Sequence, residues 1–135
     1  ACRTALRDGT ALAIGTDHAP HSRERKEVEF GLAANGIAGI ETSLSIALAA
    51  HRAGELSLAT IVAALTTGPA RLLGIAASGI TPGAAASLVE VDLAATWRPS
   101  RALLQGRSIN TPLLGRELPG VVRLTVLAGR PAYLG

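Results

Sequence analysis

Ala11-Leu12-Ala13-Ile14-Gly15-Thr16-Asp17-His18-Ala19-Pro20-His21 is the stretch on which the reading of this chain turns. Its opening residues are continuously apolar rather than alternating, the habit of a strand buried on both faces. A short strand is therefore expected over Ala11 to Gly15. A carboxylate and two imidazoles follow at once, and behind them comes a charged run from Ser22 to Glu29. In a parallel α/β barrel, the C-terminal strand ends are where chemistry is assembled. Asp17, His18 and His21 are thus the first candidates for a site.

Upstream, residues 3–8 read as the tail of a helix stopped at Asp8-Gly9, where glycine can take a positive φ. With no initiator Met, and Ala1 to Arg7 reading as the middle of a helix, the chain is expected to be a piece of a longer one. Downstream, Arg23 to Ala34 reads as a short surface helix, and Asn35-Gly36 is a turn signal. Glu41 to Ala53 has almost no polar face and predicts a mostly buried helix. Ser57 is a good N-cap for a helix carrying Leu58, Ile61, Val62 and Leu65 at helical spacing. Gly68-Pro69 starts a further helical turn that Gly74 ends.

From about residue 76 the pattern changes. Ile80-Thr81-Pro82-Gly83 is a turn, Ser87 to Asp92 a strand, and Val121 to Ala128 another. A short last strand at Ala132 to Leu134 pairs back in a hairpin beyond Gly129-Arg130-Pro131. Residues 93–120, rich in Pro, Gly and Arg, are expected to be loop. An αβ segment is therefore followed by a small β segment, with a boundary near 76–80.

The 135 residues suffice for one domain with a core. Only one Trp, one Tyr and one Phe are present, with no Met, so that core must be built from Leu, Ile, Val and Ala. The net charge of +3 comes from scattered cations without an aromatic platform, which argues against nucleic acid as a partner. A single cysteine, Cys2, excludes an internal disulfide and suits a reducing compartment. No apolar stretch reaches the roughly 18 residues a membrane span needs, so the expected location is cytosolic.

Asp17 could ligate a metal or hold a proton beside one, if ligands from other strands converge on it. It could equally cap its own loop through backbone N–H groups. His18 and His21 could be metal ligands, substrate contacts or hydrogen-bonded loop residues; His-x-x-His alone is weak evidence. Asn35-Gly36 could offer its backbone to a ligand, or be only a turn. His51 reads as a surface or boundary residue, and Cys2 has no base nearby to make it a nucleophile. Phosphate-loop, Cys-x-x-Cys and G-x-S-x-G motifs are all missing.

As a string, the chain resembles the C-terminal third of bacterial dihydroorotases of the amidohydrolase superfamily. The resemblance rests on Thr16-Asp17-His18-Ala19-Pro20-His21, then Asn35-Gly36-Ile37-Ala38-Gly39-Ile40-Glu41-Thr42, then Pro69-Ala70-Arg71-Leu72-Leu73-Gly74. It resumes at Gly79-Ile80-Thr81-Pro82-Gly83, Leu88-Val89 with Asp92, Trp97, Asn110-Thr111-Pro112 and Gly120-Val121. Gly68, Ser87 and Gly106-Arg107-Ser108 depart from the family pattern and are expected to lie outside the site.

The resemblance implies an α/β fold. Residues 1–76 would be the last strand and C-terminal helices of a (β/α)8 TIM-type barrel, and residues 77–135 part of a small β-sandwich domain. It implies zinc-dependent, reversible hydrolysis of dihydroorotate to N-carbamoyl-aspartate in pyrimidine synthesis, by a homo-oligomeric parent protein. Asp17 would ligate metal and shuttle a proton, His21 would hold the substrate's carboxylate, and the Asn35-Gly36 backbone would touch substrate. His18 would serve local structure. The remaining zinc ligands are expected upstream of residue 1, so the chain alone is expected to be inactive and to fold poorly. Two other readings of the resemblance are a non-catalytic scaffold for aspartate transcarbamoylase and another cyclic amidohydrolase such as allantoinase. Intact Asp17 and His21 argue against the scaffold, and Asn110-Thr111-Pro112 together with His21 against allantoinase.

Overall fold

A computed structural model describes residues 1–76 and 79–135. Helix α1 spans Cys2–Asp8 and stops where Gly9 turns left-handed at φ 81°. The following residues, expected as a strand, carry no strand pairing. They have no neighbouring strand among the described residues, and a strand exists only by its ladder. The segment instead docks on helices: the Ala11 N–H donates to the Ala5 carbonyl (2.9 Å) and the Ile14 N–H to the Ala64 carbonyl (2.9 Å).

The surface helix expected over residues 23–34 is a single turn, α2, Arg23–Lys26. No apolar stripe rewards a longer helix: Phe30 is 96% exposed and Leu32 76%. Lys26 folds its ammonium back onto the Ala34 carbonyl (2.6 Å) instead. A 3-10 turn at Ile40–Thr42 leads into α3, Ser43–Arg52. The latter is less buried than its composition suggests, for it buries Ser45, Ala47 and Leu48 while Ile46 faces out. Helix α4, Leu58–Leu65, starts as expected, with the Ser57 hydroxyl accepting from the Thr60 N–H (3.0 Å).

Helix α5, Thr67–Leu72, places Pro69 in its first turn, where a missing N–H costs nothing. Gly68 is fixed by proximity, since a Cβ there would overlap the Leu12 carbonyl. Ala47, Leu56 and Ile61 form the core, with Leu6, Ile14, Ala50 and Leu65 packed around it. Among the described residues no aromatic ring takes part in this cluster.

The expected boundary near 76–80 falls partly on Ala77 and Ser78, which lie outside the described residues. Beyond it, β1 (Leu88–Trp97), β2 (Leu118–Leu127) and β3 (Arg130–Leu134) form one antiparallel sheet in the order β1-β2-β3. Both long strands exceed their sequence signal, so the loop expected over 93–120 shrinks to the residues between Trp97 and Leu118. The β1 register breaks after Asp92, and that carboxylate collects the freed Ala94 and Ala95 amides (both 3.0 Å). The Arg123 guanidinium, 3.0 Å away, and those amides hold the Asp92 carboxyl below its ordinary value.

The sheet is bound to the helices by side chains. Trp97 Nε1 donates to the buried Ser45 hydroxyl (2.9 Å), and the Arg52 guanidinium donates to the Leu93 carbonyl (2.7 Å). Gly120, at φ 82°, lets β2 pass against Leu48, which a Cβ would overlap. Among the described residues no helix is long and apolar enough to cross a membrane. Cys2 is free and exposed.

The β2–β3 turn holds Ala128 at φ 49° and Gly129 at φ 81°, the left-handed pair of a type I′ hairpin. Ser87 steadies it, its hydroxyl accepting from the Ala128 N–H (3.1 Å). Alanine is strained there and asparagine is not. Ala128→Asn is therefore expected to stabilise the folded protein by about 0.5–1 kcal/mol. Thermal or denaturant unfolding checks this; an unchanged midpoint would show that the turn carries no strain.

Candidate active site

Asp17 sits at φ 45°, a left-handed conformation that a short polar side chain tolerates better than most. The chain bends there, and His18 forms an isolated parallel bridge with Ile37. The Ala19 N–H donates to the Ile37 carbonyl (2.9 Å), so the Asp17–His21 loop runs beside the segment after Asn35.

The two histidines are tied in opposite senses. His18 Nδ1 accepts from the Gly39 N–H (3.1 Å) and the Ile40 N–H (3.2 Å). Those amides lead into the 3-10 turn, where no earlier helical carbonyl serves them. A nitrogen accepting two N–H bonds carries no proton, so the neutral His18 ring holds its proton on Nε2. His21 Nε2 lies 2.7 Å from the Asn35 carbonyl. A carbonyl only accepts, so Nε2 carries the proton and Nδ1 is the nitrogen left for a ligand. That Nδ1 can donate to a carboxylate only when the ring is an imidazolium.

The turn itself is closely packed. Gly36 has φ 114°, and a Cβ there would overlap the Ala19 side chain. Its carbonyl accepts from Lys26 Nζ (3.2 Å) and from Asn110 Nδ2 (3.0 Å). The Asn35 and Gly36 carbonyls are thus both taken by protein donors.

An open cleft of about 310 Å³ lies against the loop. His18, Pro20, His21 and Ser22 line it, together with Gly106, Arg107 and Ser108. The last three were expected to lie outside the site; the structure puts them in its wall. The Glu41 carboxylate holds them there, accepting from the Gln105 N–H (2.8 Å) and the Gly106 N–H (3.0 Å). Arg101 clamps the same loop through the Gly106 and Arg107 carbonyls (2.9 and 3.1 Å). Lys26, Glu41, Arg107, Ser108 and Asn110 were not singled out as site residues from sequence. Their proximity is a long-range property, although Ser108 and Asn110 stand in or beside a segment of the resemblance.

His18, His21, Asn35 and Gly36 are thus brought together, and Asp17 adjoins them with its side chain exposed. Among the described residues, no group of three or more His, Cys, Asp or Glu is placed to hold a metal ion. The donor set here amounts to one candidate ligand, Asp17. His51 lies apart, its Nδ1 paired with the Leu56 carbonyl (3.0 Å).

The sequence matches the amidohydrolase family over residues 1–132. The chain belongs to the amidohydrolase family. Curated relatives include a dihydroorotase of Anaeromyxobacter dehalogenans, 49% identical over 96% of this chain and 30% of that protein. Another is a dihydroorotase of Geobacter metallireducens, 41% identical over 98% of this chain and 31% of that protein. Among solved structures, the L-hydantoinase (dihydropyrimidinase) of Arthrobacter aurescens superposes with a TM-score of 0.88 at 28% identity, over 98% of this chain and 31% of that one. This amidohydrolase chain therefore spans about 30% of the length of the curated relatives it matches.

Gly36→Ala must open the contact with Ala19 and strain a positive φ at once. In a protein of the relatives' length it is expected to cost about 1–3 kcal/mol of stability, read from the denaturation midpoint. Wild-type stability would mean that the turn is not held as described.

Proposed function

We propose that the chain is the C-terminal part of a dihydroorotase. Residues 1–76 would contribute the last strand and helices of a (β/α)8 barrel, and residues 77–135 part of a small β-sandwich domain. The protein would hydrolyse the cyclic amide of dihydroorotate to N-carbamoyl-aspartate, and close it again, in pyrimidine synthesis. The observation that carries this reading is the coupling of the Asp17–His21 loop to the Asn35-Gly36 turn. It puts the His18 and His21 imidazoles in the wall of one cleft, with Asp17 and the Asn35-Gly36 turn directly beside them in the chain and across the bridge. Dihydroorotate offers matching groups: a ring amide to be cut and a carboxylate to be held.

Zinc, when bound, would act as a Lewis acid and make water easier to deprotonate. Its ligands besides Asp17 would come from parts of a relative-length protein beyond these residues. Asp17 then moves the proton. Its carboxylate takes one as water adds to the ring carbonyl carbon, and returns it to the ring nitrogen as the C–N bond breaks. Water's oxygen and one proton end on the new carboxyl group, and the other proton on the released nitrogen. His21, anchored through Nε2, holds the substrate carboxylate through a protonated Nδ1. The Asn35-Gly36 turn fixes the ring from its amide side, and His18 keeps the loop on the start of the helical segment.

In the zinc-loaded, relative-length protein, Asp17→Asn is expected to lower kcat by about a hundredfold or more, with stability retained. Near-wild-type kcat would remove Asp17 from the proton path. His21→Ala should raise KM for dihydroorotate by about tenfold or more and change kcat less. An unchanged KM would make His21 a structural residue only.

A further inference from the structure

The wall supplied by Gly106, Arg107 and Ser108 does more than border the cleft. Ser108 Oγ donates to the His21 carbonyl (2.9 Å) across 87 residues of sequence. The same hydroxyl accepts from the Asn110 N–H (3.2 Å), which directs its own proton toward His21. Asn110 Nδ2 donates to the Gly36 carbonyl (3.0 Å), and the Asn110 carbonyl accepts from the Ala38 N–H (2.8 Å). One residue thus holds the Gly36-to-Ala38 strip at both edges. Both side chains are half-buried, so solvent competes weakly for these bonds.

Peptide planarity turns these bonds into directional control. Each peptide unit is trans and nearly flat, so fixing a carbonyl fixes the amide on the opposite side. The His21 ring, by holding the Asn35 carbonyl, sets the direction of the Gly36 N–H. Asn110, with Lys26, holds the Gly36 carbonyl and so sets the next peptide plane, whose Ile37 N–H faces the Asp17–His18 segment across the bridge. Gly36 is the flexible joint between these two planes, its φ of 114° being one that few residues adopt. Without Asn110, one of the two planes loses a donor that lies far outside the turn.

From this geometry we infer that Asn110 and Ser108 are positioning residues of the substrate site. Asn110 acts through the Gly36 carbonyl and Ser108 through the His21 carbonyl, and together they set the turn and the imidazole for a carboxylated cyclic amide. The inference rests on the reading of this cleft as the dihydroorotate site. Its consequence is that the β segment takes part in substrate recognition and is not only a lateral support.

The test is steady-state kinetics of the zinc-loaded, relative-length protein with Asn110→Asp and, separately, Ser108→Ala. Asn110→Asp keeps the shape but turns the donor facing the Gly36 carbonyl into an acceptor. KM for dihydroorotate is expected to rise about tenfold in Asn110→Asp and about threefold in Ser108→Ala. Changes in kcat and zinc content should be smaller. A purely structural role would lower the active fraction and the melting temperature while leaving KM in place, and that result overturns the inference. If Asn110→Asp does not fold, the KM of Ser108→Ala decides alone. A wild-type protein that neither binds nor turns over dihydroorotate overturns the reading of the site. An active wild type with unshifted KM in the variants overturns only the role of Asn110 and Ser108.

Discussion

Two peptide N–H groups, Gly39 and Ile40, end on one imidazole nitrogen, and the arrangement of the site depends on that fact. His18 satisfies donors at the head of a helical segment, which otherwise lack partners. In doing so it locks the loop that carries Asp17 and His21 to the segment that carries Gly36. The parallel bridge between His18 and Ile37, and the Ala19-to-Ile37 hydrogen bond, follow from the same approach. That closeness excludes a side chain at position 36 and brings the Asn35 carbonyl to His21. A histidine that touches no reacting atom can in this way determine where those that do are held.

The sheet serves the same arrangement from the other side. Trp97 on Ser45 and Arg52 on the β1 carbonyls attach it to α3. From that footing the 98–117 connection reaches back to Glu41 and onward to His21 and Gly36. Many of the ties are carbonyls receiving side-chain donors, so backbone direction, not only side-chain identity, is under control. A cleft walled by imidazoles, hydroxyl groups and Arg107, with no acidic residue lining it, suits an anionic ligand.

Local signals were legible where the physics is local. The α1 stop at Gly9 and the Ser57 cap each depend on a few adjacent residues and stand where the sequence places them. The closing hairpin forms too, but it turns at Ala128-Gly129 and its last strand starts at Arg130, two residues earlier than expected. The expected strand at Ala11 to Gly15 is different, because a strand is a relation to neighbours and none is present among the described residues. The Arg23 to Ala34 helix failed for want of an apolar stripe, with Phe30 left in solvent. Strand β1 outran its signal because Asp92 repairs the register break that would otherwise end it.

Of the site, Asp17, His18, His21 and the Asn35-Gly36 turn could be read because they lie close in sequence and in a recognisable order. Ser108 and Asn110 could not be assigned, since their partners stand 87 and 74 residues away, and Arg107 enters only through the cleft wall that the fold assembles. The most direct test of the account is a crystal structure of the zinc-loaded, relative-length protein with dihydroorotate bound. The account predicts the Asp17 carboxylate on the metal and the substrate carboxylate within about 3 Å of His21 Nδ1. A substrate bound elsewhere, or an Asp17 turned away from the metal, would contradict it.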